Sequence, residues 1–283
     1  MSIDLTRLGI WSEDAGHRVE AAHVAAYAAA TNDDHPRHVG GEVAPPVFAG
    51  VPIGPPLAAA AAQFMSEDVR RFGVHAEQDM YLHHALTPGM VIHTRVAPVG
   101  VHGRPSGTTV VLRGETHDDR GDLLNEQYAT LFLRGAHHAG NAGQRAPDHR
   151  APAALRGRPP MASISYAVDA DQTYRYADAS GDHSRIHLDA DFARSVGLPG
   201  IILHGMCTMA MTSRAVVKVA CGGDSGRLKR LAVAFARPVL PGQTITVRLW
   251  ADGRLPGSAK FVFDATNPAG KTVIQDGLAE VAD

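Results

Sequence analysis

Four runs near the C-terminus alternate or concentrate apolar residues: RLAVAFARPV, TITVRLWAD, SAKFVFDAT and VIQDGLAEV. Turn signals (PG, DG, PG and NPAG) separate them, and the pattern predicts strands of an antiparallel meander. Ahead of them Met206, Met209, Ala210, Ser213, Val216, Val217 and Ala220 recur at helical spacing, predicting one helix. A shorter helix, ADFARSV, has Asp189 as its cap and Gly197 as its stop. The first half repeats this order. PPLAAAAAQFMSEDV predicts a helix opening on prolines, where a missing N–H costs nothing. QDMYLHHAL, VIHTRVAPV, TTVVLRGETH and LLNEQYATLFLR follow as strand candidates.

The likeness of the halves extends to individual residues. Tyr27, Asp33 and His38 stand in Tyr-AAATN-Asp-DHPR-His, and Tyr176, Asp182 and His187 stand at the same spacing in Tyr-ADASG-Asp-HSRI-His. HHALTPG has a counterpart in FARPVLPG, and the DDRGDLL turn in NPAGKTV. Three landmarks in one order indicate an old, degraded duplication. Residues 135–160, rich in Gly, Pro, Ala and Arg, read as a surface linker. The expected modules are therefore 1–134 and 161–283. Each is α+β, an antiparallel sheet wrapped around one central helix. Two modules side by side can pair the sheet edges that one alone would leave exposed.

Composition sets limits on function. The 283 residues suffice for two modules, and 45% apolar with 20% charged is ordinary for a globular chain. A formal net charge of −2 supplies no broad basic field, which argues against nucleic acid and anionic membrane as partners. The N-terminus lacks the apolar core of a signal peptide. No stretch is expected to approach 18 uncharged apolar residues, so no membrane span is expected. Cys207 and Cys221, placed on one helix roughly 21 Å apart, are too distant for a disulfide, and a reducing cytoplasm is the expected location. Sixteen histidines occur without HExxH, CxxC or any zinc-type spacing, so neither a metal nor another cofactor is expected.

Asp182 and His187 are the candidate chemistry. On a helix, positions five apart diverge by about 140°. Gly181 and the polar residues after it predict a loop instead, which can turn both side chains toward one point. Gly205 stands where the central helix begins, with unpaired amides and the positive end of the helix dipole. Without a side chain there, an anionic oxygen can approach the amide.

The segment Tyr176 to His187, with Ser180, Gly181, Asp182 and Ile186 in register, resembles the signature of the MaoC-like, (R)-specific enoyl-CoA hydratases. LPGIILHGMCTMAM and FARPVLPG resemble that family's helix entry and following segment. The resemblance implies a double hotdog of the (3R)-hydroxyacyl-CoA dehydratase type, with the two sheets paired edge to edge. It implies that Asp182 and His187 share one water and hydrate a trans-2-enoyl-CoA to the (3R)-3-hydroxyacyl-CoA, or the reverse. Gly205 would serve the oxyanion, with Gly181, Ser184 and Ser213 in support. Where the family has Asn-Pro, this chain has Ser184-Arg185, which removes a fixed φ and an amide.

In the first half Asn32 replaces the glycine and Phe48-Ala49-Gly50 replaces the HGM entry, so that half is read as shaping the acyl-tail groove, with Ala58–Ala62 leaving space. Arg185 and Arg237 are candidate contacts for coenzyme A. An acyl-carrier-protein substrate and a non-catalytic acyl-binding protein are the alternatives. A hotdog thioesterase fits less well, because the central helix carries no acid. Monomer and homodimer are both left open.

Overall fold

The computed structural model describes residues 2–71 and 73–283. Two compact units divide the chain. One comprises Met1–Arg18, Pro52–His84 and Met90–Asp148; the other comprises Val19–Val51, Ala85–Gly89 and His149–Asp283. This differs from a boundary drawn in chain order, because the first Tyr-Asp-His copy groups with the second. The cause lies in polar contacts between the helices Ala21–Ala30 and Gln172–Ser180. Arg175 donates to the Ala29 carbonyl at 2.8 Å, Gln172 Nε2 donates to the Ala30 carbonyl, and Asn32 Nδ2 donates to Asp169 at 3.0 Å. The buried rings of Tyr27 and Tyr176 meet between these helices, 5.7 Å apart.

In the first unit the strands are β1 Ala15–Arg18, β2 Gly73–Leu82, β3 Val91–Arg104, β4 Gly107–Asp118, β5 Leu123–Arg134 and β6 Asn141–Gly143. They form an antiparallel order β1-β3-β4-β5-β2, with β6 also on β3. Strand β6 lies inside the stretch read as linker. The helix Gly50–Phe64 supplies Ile53, Ala60, Ala61 and Phe64 to a core with Val96, Leu112 and Leu133. At Gly114 an added Cβ would lie 3.0 Å from Ile53, so a glycine lets the helix settle close to the sheet.

The helix begins at Gly50 rather than at Pro55, and both Pro55 and Pro56 lie inside it. A proline in that position leaves the carbonyl four residues earlier without its usual donor. For Pro56 that carbonyl is Pro52, and the Thr94 hydroxyl donates to it at 3.2 Å. Of the alanine run, Ala60 and Ala61 are buried while Ala58, Ala59 and Ala62 are exposed. The 19 residues Pro46–Phe64 have a mean hydropathy of 1.3 and are long and apolar enough to cross a membrane, contrary to the sequence expectation. Half of that window is buried inside the protein, as befits a core helix.

In the second unit the strands are β7 Ala162–Ala167, β8 Leu228–Phe235, β9 Thr244–Leu255, β10 Ser258–Thr266 and β11 Thr272–Ala282. Their antiparallel order is β8-β11-β10-β9-β7. The helix Gly205–Val219 is buried almost all round, from Cys207 through Val217, as a helix enclosed by a sheet must be. Cys207 lies on it; Cys221 lies just past its C-cap, Ala220, and both are buried free thiols. The stretch after residue 148 does not cross the surface loosely. Ala151 and Leu155 pack against Ala232, Trp250, Val262 and Leu278, and the Trp250 indole donates to the Arg158 carbonyl at 2.9 Å. Each unit is thus an antiparallel sheet carrying one long helix, the α+β pattern read from the sequence.

Candidate active site

The helix Gln172–Ser180 ends because Gly181 adopts φ +76°, a left-handed conformation open to glycine, with its N–H donating to the Ala177 carbonyl at 2.8 Å. Asp182 follows in a loop. One of its carboxylate oxygens accepts both the Ser184 backbone N–H at 3.0 Å and the Ser184 hydroxyl at 2.5 Å. Ser184 therefore replaces the missing amide by a tight local turn that fixes the carboxylate. The chain then makes one helical turn, Arg185–Leu188, which buries His187. His187 Nδ1 donates to the Ile202 carbonyl at 2.8 Å, so the ring presents an unprotonated Nε2.

His204, which the sequence reading used only as part of the helix entry, completes this group. It is 1% exposed and stacks on His187, with centroids 3.7 Å apart and planes at 26°. Its Nε2 donates to the backbone carbonyl of Asp182 at 2.9 Å, tying the loop to the start of the central helix. Asp182, His187 and His204 each bring one donor atom to within 4.8 Å of the others. These three could offer ligands to a metal. Two rings lying nearly face to face, however, cannot both aim in-plane lone pairs at one ion. A water accepted by a carboxylate and an imidazole suits the arrangement better.

Charge states follow from the surroundings. Burial alone would raise the Asp182 carboxyl, but the Ser184 hydroxyl, the His204 ring, the Ser184 N–H and His187 outweigh it and hold it below the usual carboxylate range. Burial lowers His187, against the Ile202 carbonyl and Asp182, which act to raise it. Burial, with the neighbouring His187 next, pushes His204 down to about 4. At neutral pH the site therefore holds one carboxylate and two neutral imidazoles. Asp182 and His187 can each accept a hydrogen from one water.

The other sequence candidates divide. Gly205 is the first residue of the central helix, where amides lack intrahelical acceptors. An added Cβ there would meet the Phe235 ring at 3.3 Å, so that face of the residue is closed by an aromatic. The Ser213 hydroxyl donates to the Ala210 carbonyl at 2.7 Å, and the residue lines a cavity with Asp33 and His38. Arg185 pairs with Asp189 at 2.7 Å and lies over the Phe192 ring, and Arg237 donates to the Thr272 carbonyl at 3.1 Å. Both arginines are exposed. In the earlier copy Asn32 takes the left-handed role of Gly181, with φ 52°. There the carboxylate and ring bond directly, His38 Nδ1 donating to Asp33 at 2.7 Å, which leaves no gap for a shared water.

Two sheet-and-helix units, the second carrying the Asp182–His187 pair, are the pattern of a double-hotdog protein of the hydratase and dehydratase class. Residues 152–271 match the model of the MaoC like domain. The chain is 34% identical over 214 residues to the 3-hydroxyacyl-thioester dehydratase Y of Mycobacterium tuberculosis, covering 73% of this chain and 72% of that protein. It is 27% identical over 187 residues to the peroxisomal enoyl-CoA hydratase 2 of Arabidopsis thaliana, covering 64% and 60%. The crystal structure of a MaoC-like dehydratase from Phytophthora capsici superposes with a TM-score of 0.86 over 100% of this chain and 98% of that one, at 24% identity. The chain belongs to the MaoC-like dehydratase family and is a lyase.

Proposed function

We propose that this enzyme reversibly hydrates trans-2-enoyl-CoA to (3R)-3-hydroxyacyl-CoA, with Asp182 and His187 as its acid–base pair. The observation that carries the reading is an ionised carboxylate with an oxygen within 4.8 Å of a ring nitrogen of a neutral imidazole, beside the start of the central helix. Names borne by the relatives support the same reaction class, since they include a 3-hydroxyacyl-thioester dehydratase and an enoyl-CoA hydratase.

In the forward direction one water donates its hydrogens to Asp182 and to His187 Nε2. Conjugate addition forms the C3–O bond, and the water's proton passes to His187, whose Nδ1 stays anchored on the Ile202 carbonyl. Charge moves onto the thioester oxygen and meets the Gly205 amide at the helix start. The imidazolium then returns its proton to C2 on the face the water attacked, and the (3R) configuration follows from which face of C3 the bound substrate turns to that water. Asp182 remains a carboxylate and stabilises the imidazolium. Dehydration reverses each step.

The thioester carrier is coenzyme A in this proposal, and the cytoplasm is the proposed compartment. A panel of trans-2-enoyl-CoAs tests the reading through loss of the conjugated enoyl-thioester absorbance. Hydration with (3R) product on chiral analysis is expected. Absence of hydration on every chain length by the folded protein, or (3S) product, would overturn it.

A further inference from the structure

The first Asp-x4-His copy has been rewired rather than erased. Asp33 accepts from His38 Nδ1 at 2.7 Å, and His38 Nε2 lies 3.0 Å from the Ser225 hydroxyl oxygen. With Nδ1–H committed to the carboxylate, Nε2 is the acceptor for the serine proton. A carboxylate on one ring nitrogen and a hydroxyl on the other, in this order, is the wiring that activates a serine as a nucleophile.

The relay is anchored on every side. His38 is 1% exposed, and the Asp33 side chain is 7% exposed. The second oxygen of Asp33 accepts the His35 backbone N–H at 2.9 Å. The His35 ring lies 4.2 Å from that of His38 and bonds through Nε2 to the Gly223 carbonyl at 2.7 Å. Ser225, by contrast, is only half-buried. It opens a short 3-10 turn, Ser225–Arg227, directly after Gly222, Gly223 and the capping Asp224. Gly222 and Gly223 have φ +64° and +87°, so glycine is what lets the chain present this serine to the ring. Asp33 and His38, but not Ser225, line a cavity of about 260 Å³ together with Tyr166, Arg214, Lys218 and Gly223. Arg214, which pairs with Asp34 at 3.0 Å, and Lys218 are the cations of its wall.

We propose that Ser225, His38 and Asp33 form a second, nucleophilic site that hydrolyses short acyl esters or thioesters. Ser225 Oγ would bond to the acyl carbonyl carbon while its proton moves to His38 Nε2. The C–O or C–S bond breaks, and the alcohol or thiol leaves with that proton. Water then attacks the acyl-serine, giving its proton to His38. The carboxylic acid departs and the proton returns to Ser225. Asp33 holds the ring tautomer and stabilises the imidazolium. No oxidant, reductant or further co-reactant is required.

The test is labelling of the full chain with a fluorophosphonate, read by intact mass and peptide mapping, together with hydrolysis of p-nitrophenyl butyrate. A single adduct on Ser225 is expected, present also in Asp182→Asn, which separates this site from the hydration site. Ser225→Ala should remove the adduct and leave crotonyl-CoA hydration unchanged. Asp33→Asn and His38→Gln should slow labelling and ester hydrolysis at least about 100-fold. Failure of the folded wild type to label at Ser225 would overturn the proposal. So would labelling that proceeds at the wild-type rate in a folded Asp33→Asn variant.

Discussion

Replacing His204 by phenylalanine separates two effects of one buried ring, because it keeps the stacked face and removes the donor. His204 Nε2 donates to the Asp182 carbonyl at 2.9 Å, and losing such a part-buried hydrogen bond costs about 0.5–1.5 kcal/mol. At pH 7.5 His204→Phe should be less stable than wild type by that amount. The sign changes in acid. The unfolded chain protonates this histidine near 6.5, whereas the folded site resists protonation until about 4. Between those values the unfolded state binds more protons, so wild-type stability falls as pH falls. The loss attributable to His204 is roughly 3 kcal/mol across the window. Phenylalanine does not titrate, so the gap between variant and wild type should close, or reverse, near pH 4.5. Urea unfolding at pH 7.5 and pH 4.5 measures both differences. A gap that does not change with pH would refute the reasoning. With its loop freed, the variant should also hydrate enoyl-CoA about 10- to 100-fold more slowly, since small misplacements of catalytic groups are costly. Full activity would remove His204 as a positioning residue.

Ser184→Ala removes a hydroxyl that holds Asp182 ionised, so the acid limb of kcat/KM should move to higher pH; a superimposable pH profile would contradict this. Gly181→Ala forces a side chain into φ +76°, and should cost about 1 kcal/mol in a urea melt and slow hydration by misplacing Asp182. Ser213→Ala should leave hydration within about twofold of wild type, because that hydroxyl bonds only to its own helix; a kinetic loss in a folded variant would return Ser213 to the site.

The long elements were legible because their periodicity is strong. The Gly205–Val219 helix and strands β9, β10 and β11 fall within a few residues of the patterned runs. The helices that carry the two tyrosines were not. AAHVAAYAAA has apolar residues on every side, and QTYRYADAS is short and buries Gln172 and Thr173 beside Tyr176, Ala177 and Ala179, so its inner face is partly polar. Their packing on one another also moved residues 19–51 into the second unit, which chain order cannot reveal. At the site, Asp182, His187, Gly181 and Ser184 were singled out through the family resemblance and the repeat, and one loop and one turn bring them together. His204 was missed, although it stands next to Gly205 in a segment already singled out, because its contacts with Asp182 and His187 are tertiary. Ser225 likewise meets His38 only through the fold. Helical spacing put Ser213 near the face of Gly205, and its hydroxyl donates to the Ala210 carbonyl, a contact that spacing does not reveal.

The central claim is that Asp182 and His187, and not the earlier copy, hydrate the enoyl thioester. Initial rates on crotonyl-CoA for wild type, Asp182→Asn, His187→Ala and Asp33→Asn test it most directly. The expected result is a loss of at least about 100-fold for each of the first two substitutions, with Asp33→Asn near wild type. Hydration that survives both Asp182→Asn and His187→Ala in folded protein, or that disappears with Asp33→Asn alone, would contradict it.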